Sequence, residues 1–384
     1  MSFDQRTAFS IRNARVVTAD QVFTGGICVH QGEFKDVTSA GHGLSGDDWG
    51  GDYLLPGLVE VHTDNVEKHL LPRPKVCWPV PSAILAHDAQ VVSSGITTVL
   101  DAIAVGDLEP DSLRTQTLHA CVKGFDDARE AGLLRADHYL HLRLELAEEK
   151  LLPLFTPLAR HPRLKLLSLM DHTPGQRQWM DLAAYRSHVS GRHSWSEQKI
   201  DQMLAIFGDR QQRYVNQNRE KVLSLCREQM PYIPLATHDD TLPEHVAEGV
   251  RDGMSMSEFP TTLVAAQAAH DHGLAIVMGA PNSVRGKSHS GNVAAAELAQ
   301  HGLLDILSSD YVPASLLHGA FLLQENNYTL PQAIATVSRN PAHRIGMTDR
   351  GEIAVGLRAD FLRIRLFQGI PVVLGVWKQG RQIA

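Results

Sequence analysis

Eight strand-length apolar runs alternate with helix-period segments between two glycine-punctuated, β-rich ends. At 384 residues and 43% hydrophobic content, the chain can bury a full core. These observations predict an α/β fold: a TIM (β/α)8 barrel with a small β-sandwich domain formed by the N- and C-terminal segments. The expected boundaries are 1–55 and 351–384 for the two parts of the sandwich and 56–350 for the barrel.

The N-terminal part reads as short strands with glycine turns, Ser-Ile-Arg-Asn-Ala-Arg-Val-Val-Thr and then Gly-Gly-Ile-Cys-Val-His-Gln-Gly-Glu-Phe-Lys-Asp-Val. The C-terminal part has the same texture in Ala-Asp-Phe-Leu-Arg-Ile-Arg and Pro-Val-Val-Leu-Gly-Val-Trp, so the two ends are expected to share one sheet domain. Between them the candidate strands are Leu58–His62, Ile96–Asp101, Tyr139–Glu145, Lys165–Asp171, Ile233–Thr237, Met256–Phe259, Ala275–Gly279 and Asp305–Ser309. A doubly wound open sheet is the competing architecture. No Gly-x-Gly-x-x-Gly follows the early strands, which counts against its dinucleotide-binding version. Residues 174–231 exceed what a βα unit needs and read as two helices, Ser196–Phe207 and Arg210–Gln229, serving either as a lid or as an elaborated crossover.

Composition narrows the partners. A net charge of -7 argues against nucleic acid and against an anionic membrane surface, since both reward a basic face. A small anionic substrate remains compatible if cations gather locally. The first twenty residues lack the continuous apolar core of a secretory signal, and no apolar run reaches the ~20 residues of a membrane helix, so a cytoplasmic location is expected. Cys28, Cys77, Cys121 and Cys226 are scattered without a Cys-x-x-Cys pair and read as free thiols. Histidine is abundant, at twenty.

Barrel enzymes take their catalytic groups from the C-terminal ends of strands. The first strand ends in His62-Thr63-Asp64, whose two-residue spacing turns both outer side chains to one face. Later strands end at Glu145, His172, His238 and Asp310. One such residue alone is more often a helix cap or a loop residue. Three imidazoles and three carboxylates together suit one or two divalent ions, zinc first, with manganese or iron as alternatives. Glu145 is placed to bridge two ions, Asp310 to take the proton of an attacking water, and Asp171 and Asp239 to orient histidines from behind.

The chain resembles the amidohydrolase superfamily in Pro56-Gly57-Leu58 leading to His62, in Gly95-Ile96-Thr97-Thr98-Val99, and in the closing Gly351-Glu352-Ile353 with Gly356, Ala359 and Asp360. That resemblance implies a metal-bearing barrel flanked by a terminal β-sandwich, and it is compatible with a homodimer. Asp64 stands where the usual first motif has its second histidine.

Longer runs extend the likeness. They include His-Thr-Asp-Asn at 62–65, Pro-Arg-Pro-Lys at 72–75, Leu-Met-Asp-His-Thr-Pro-Gly-Gln-Arg-Gln at 169–178, Glu-Phe-Pro-Thr-Thr at 258–262 and Met-Gly-Ala-Pro-Asn-Ser-Val-Arg-Gly-Lys-Ser-His-Ser-Gly-Asn at 278–292. They resemble a branch that releases pyrophosphate from a phosphonate-bearing ribosyl triphosphate.

Such a substrate demands cations and N–H donors. Arg73, Lys75 and Arg177 follow the metal motifs, and the glycine-rich segment after the seventh strand offers Asn282, Arg285, Lys287, His289, Ser290 and Asn292. The alternatives are hydrolysis of a C–N bond in a phosphorylated substrate, as in deacetylases and cyclic amidases, and a non-catalytic metabolite-binding member.

Overall fold

The computed structural model describes residues 8–39, 45–73, 76–109, 112–193, 195–286 and 292–384. Lys75, Lys287, His289 and Ser290, expected to bind substrate, lie outside them.

Among the described residues sixteen strands form two sheets. The first contains β1 (Ala8–Val17), β2 (Val22–His30), β3 (Glu33–Thr38), β4 (Asp47–Asp48) and β5 (Tyr53–Pro56) from the N-terminal end. The second contains β6 (Leu58–Thr63), β7 (Ile96–Val105), β8 (Asp137–Glu145), β9 (Leu164–Met170), β10 (Leu235–His238), β11 (Met256–Glu258), β12 (Ala275–Gly279) and β13 (Ile306–Ser308). The C-terminal strands β14 (Phe361–Phe367), β15 (Ile370–Lys378) and β16 (Arg381–Gln382) join the first sheet. Its order is β16-β15-β14-β5-β1-β2-β3, with β4 on β1.

This first sheet is mixed, because β1 runs parallel to β4 and β5 but antiparallel to β2. The two chain ends meet where β14 pairs with β5, Phe361 opposite Pro56. Aromatic residues supply its core: the rings of Phe361 and Trp377 stack at 4.9 Å and 8°, and Phe9, Phe34 and Trp49 lie around Phe361 at 6.0–6.2 Å. Each such ring buries a large apolar area, which compensates for the small size of the sheet.

The second sheet is parallel, in the order β13-β12-β11-β10-β9-β8-β7-β6. A parallel bridge from Thr63 to Asp310, just past β13, joins its two ends and closes the barrel. All eight expected strands are present. β7 is buried at every residue, as a strand covered on both faces must be, and its sequence is correspondingly apolar or small apart from Asp101. β10 starts at Leu235 rather than at Ile233 because Pro234 has no N–H for the ladder, though its carbonyl accepts from Leu167 N–H at 3.2 Å.

The chain forms two compact units, Met1–Asp101 with Lys123–Tyr139 and Met278–Ala384, and Ala102–Val122 with Leu140–Val277. In the first, α1 (Asn65–Leu70) follows β6 and α2 (Val80–Ser93) precedes β7. In the second, the long polar segment forms a 3-10 turn at Arg177–Trp179 and a helix at Leu182–His193, then one continuous helix of 33 residues, Glu197–Gln229. The two helices expected there are therefore joined through Gly208. A glycine inside a helix costs only about 1 kcal/mol, which long flanking turns absorb. Ser196 caps the start through Lys199 N–H.

That helix buries one stripe, from Ile200, Met203 and Phe207 to Val222, Leu223 and Cys226. Its Asn218 amide donates to the carbonyls of Leu146 and Glu148, both at 2.9 Å, so its C-terminal half packs as the crossover helix beyond β9. Among the described residues no cysteine forms a disulfide, and no helix is long and apolar enough to cross a membrane.

Candidate metal centre

In the first unit the end of β6 is tied to the residue after β13. Asp310 N–H donates to the His62 carbonyl at 3.1 Å, and the Asp310 carbonyl accepts from Asp64 N–H at 3.2 Å and from the Thr63 hydroxyl at 2.7 Å. Beneath them the Glu60 carboxylate accepts from His62 N–H at 2.6 Å and from Ser309 N–H at 2.5 Å. Complete burial pushes the Glu60 carboxyl up to about 7, against the pull of those bonds. His62 is buried, while Asp64 and Asp310 are half-buried.

The second unit brings together His172, His238 and Asp239, whose candidate donor atoms lie within 4.8 Å of one another. Asp239 Oδ2 stands 3.7 Å from the Nε2 atoms of both histidines. The opposite ring nitrogens are anchored by carboxylates: His172 Nδ1 lies 2.6 Å from Glu145 Oε2, and His238 Nδ1 lies 3.4 Å from Glu258 Oε2. Each imidazole thus presents Nε2 toward Asp239, the arrangement by which a carboxylate behind the ring orients a metal-binding histidine.

Burial lowers the proton affinity of His238, which favours the neutral ring that a metal requires. Burial also raises the Glu145 carboxyl, while His172, despite its own burial, is held up by that carboxylate. The donor set fits a divalent ion. Bonds of about 2.1 Å put tetrahedral ligands roughly 3.4 Å apart, close to the 3.7 Å at which Asp239 stands from each ring nitrogen.

Two carboxylates stand elsewhere than expected. Glu145, expected to bridge ions, sits behind His172. Asp239, expected behind a histidine, faces the open nitrogens. The reason is local backbone geometry: Asp239 has φ 55°, and this left-handed turn just past β10 swings its side chain. Phe259 (φ 54°), just past β11, and Asp310 (φ 52°), just past β13, turn the same way. Non-glycine residues seldom adopt this conformation, and it concentrates at functional sites. Asp171 caps its own turn, accepting from Thr173 N–H at 3.0 Å.

Arg177, expected to contact substrate, is buried and committed elsewhere. Its guanidinium meets Asp240 at 2.6 Å, the His238 carbonyl at 3.1 Å and Glu248 at 3.2 Å. Arg73 and Arg285 are exposed, and among the described residues neither makes an ion pair. Asn282 and Asn292 are half-buried. The segment after β12 is not a loop from its start, because Ala280–Arg285 forms a short helix that ends at Gly286 with φ 76°.

Sequence reasoning missed Glu60, Glu258 and His141. Within the second unit, Ser168 hydrogen-bonds both His141 and Glu258. The signal was the two-residue period: Glu60 shares the face of His62, and His141 that of Glu145. Reading only strand ends passed over Glu60 and His141, which lie inside β6 and β8.

A barrel closed by parallel strands, with histidines and carboxylates at its strand ends, defines a class of metal-dependent hydrolases. The amidohydrolase family model matches residues 82–384, and the chain belongs to that family. Alpha-D-ribose 1-methylphosphonate 5-triphosphate diphosphatase of Escherichia coli (strain K12) is 45% identical over 381 residues, covering 97% of this chain and 99% of the relative. N-acetylglucosamine-6-phosphate deacetylase from Pasteurella multocida shares the fold, with TM-score 0.62 at 13% identity over 98% of this chain and 100% of that one. Dihydropyrimidinase from Brevibacillus agri does so at TM-score 0.54 and 14% identity, over 98% and 95%.

Proposed function

We propose that this chain hydrolyses alpha-D-ribose 1-methylphosphonate 5-triphosphate to the 5-phosphate and pyrophosphate, using one or two divalent ions, zinc first. The near full-length similarity to the diphosphatase supports the substrate. One observation carries the chemistry: His172 and His238 are each anchored on one nitrogen by a carboxylate and offer the other toward Asp239. Bound at such residues, a divalent ion supplies an acidified water and neutralises phosphate charge.

On this reading His172, His238 and Asp239 hold an ion in the second unit, and His62, Asp64 and Asp310 are the candidate ligands of the first, each unit taken by itself. Glu145 and Glu258 fix ring orientation. Asp310 accepts the proton of the attacking water, and its bonded backbone keeps that carboxylate in place. Arg73 and Arg285, which have no carboxylate partner among the described residues, bind phosphate oxygens, with Asn282 and Asn292 as neutral donors. Arg177 holds the turn at 238–240 instead of the substrate. Its removal would leave Asp240 buried with one charge partner fewer.

The test is pyrophosphate release by the zinc-loaded protein, followed by phosphorus NMR. Release together with the ribosyl 5-phosphate is expected. Absence of release, with turnover of an N-acetyl sugar phosphate or a cyclic amide, overturns the reading.

A further inference from the structure

A buried polar chain in the first unit leads away from the proposed ligands. Asn65, one residue after Asp64, is buried and opens α1. This helix has six residues, and Asp64 makes no side-chain cap, so its direction is set from outside. The Asn65 amide supplies the tie: Nδ2 donates to Gln90 Oε1 at 3.0 Å and meets His87 Nδ1 at 3.0 Å. His87 and Gln90 are neighbours one turn apart on α2.

The direction of that second bond follows from what lies behind the ring. His87 Nε2 is 2.7 Å from Asp101 Oδ1. An ionised carboxylate only accepts, so Nε2 carries the ring proton and Nδ1 is a lone pair facing the amide N–H. Asp101 stays ionised because its other oxygen meets His138 Nδ1 at 2.8 Å, and His138 Nε2 faces Asp88 at 3.3 Å. Asp88 is held in turn by the N–H groups of Arg135 (2.9 Å) and Ala136 (3.0 Å) and by Arg135 Nε at 2.9 Å. One imidazolium between two carboxylates, with an arginine on the outer one, balances the charge of the chain.

We infer that His87 is a positioning residue: locked in one tautomer by Asp101, it holds Asn65 and thereby the turn on which His62 and Asp64 stand. The inference rests on the proposed metal centre, to which His62 and Asp64 belong. Residues that orient ligands in this way change metal affinity 10–100-fold when removed. If the chain of residues only filled space between α2 and β7, its loss would lower stability without selectively weakening the ion.

The test is zinc affinity of the full-length protein, by competition with a chromophoric chelator. Wild type, Asn65→Leu, His87→Leu and the double variant are compared, alongside thermal midpoints and kcat and KM for pyrophosphate release. Each single variant is expected to lose about tenfold in zinc affinity and to fall in kcat more than it changes in KM. The double variant is expected to be no worse than the weaker single, because the two residues form one link. His87→Gln, which retains a donor for Asp101 and an acceptor for Asn65, restores part of the loss. Should His87→Leu not fold, Asn65→Ser and His87→Gln carry the same comparison.

Losses that multiply in the double variant, or wild-type affinity in folded single variants, overturn the inference alone. A wild-type protein that binds no stoichiometric zinc overturns the metal centre and the inference with it.

Discussion

Asp310 and His62 are joined main chain to main chain, Asp310 N–H to His62 carbonyl at 3.1 Å, and this bond sets one proposed catalytic carboxylate against one proposed ligand. The same contact closes the barrel, so the accuracy of this part of the site is a property of the fold rather than of a loop. Asp310 accepts a left-handed backbone, φ 52°, in order to make it.

The Asp310 side chain can be tested apart from its backbone. Asn tolerates positive φ nearly as well as Asp. Asp310→Asn is therefore expected to keep its thermal midpoint within a few degrees while kcat falls about 10²–10⁴-fold, the range for loss of a proton acceptor. Asp310→Ala adds roughly 1 kcal/mol of backbone strain to the same loss. Steady-state kinetics beside a melting curve separates the effects, and near-normal turnover in Asp310→Asn removes the residue from its role.

His138 gives stability a pH dependence. Its burial opposes the charged ring, but Asp101 and Asp88 outweigh that and push its pKa up to about 9 from the ordinary 6.5. A raised folded-state pKa stabilises fully below 6.5, progressively less between 6.5 and 9, and not at all above. At about 1.4 kcal/mol per tenfold change in proton affinity, a loss of about 3 kcal/mol is expected between pH 6 and 10. Urea unfolding across that range measures it. In His138→Gln the slope should flatten, and an unchanged slope assigns the effect to other groups.

Much of this architecture was legible because parallel barrels announce themselves: each strand is a short apolar run, and function stands where the run ends. Leu58–His62 and Ala275–Gly279 needed nothing more. What escaped depends on direction rather than composition. Nothing in the string Thr-His-Asp-Asp says that Asp239 adopts φ 55° and faces the histidine nitrogens, or that Glu145 lies behind His172. Arg177 read as a substrate-binding cation because its partners Asp240 and Glu248 are 63 and 71 residues away. Glu258 was hidden by Phe259, which follows it and closes the apolar run.

Glu258 should act through His238. Its carboxylate faces Nδ1 at 3.4 Å and accepts from the Ser168 hydroxyl, so it favours the tautomer with Nε2 free. Glu258→Gln keeps the volume and removes the charge. Zinc affinity is expected to drop 10–100-fold, with little change in KM measured at saturating metal. A chelator competition assay reads this directly, and affinity within twofold of wild type leaves Glu258 a purely internal hydrogen-bond partner.

The heaviest charge cluster of the first unit should prove structural. Asp137, at the start of β8, meets Arg358 at 2.7 Å and Arg350 and Lys378 each at 3.0 Å, all three well shielded from solvent. Burial raises the Asp137 carboxyl, but Arg358 and Lys378 more than offset this and hold it well below the usual carboxylate range. Asp137→Asn strands a partly buried Lys378, whose one carboxylate partner among the described residues is Asp137, and loosens both arginines. Breaking such a group from one side costs about 3–5 kcal/mol, because the remaining charges stay desolvated. The denaturation midpoint should fall accordingly. The deficit should persist in 1 M salt, since ions screen buried pairs poorly. Activity per folded molecule should survive, as none of these residues belongs to the proposed centre. A loss below 1 kcal/mol, erased by salt, would instead mark the cluster as an ordinary surface ion pair.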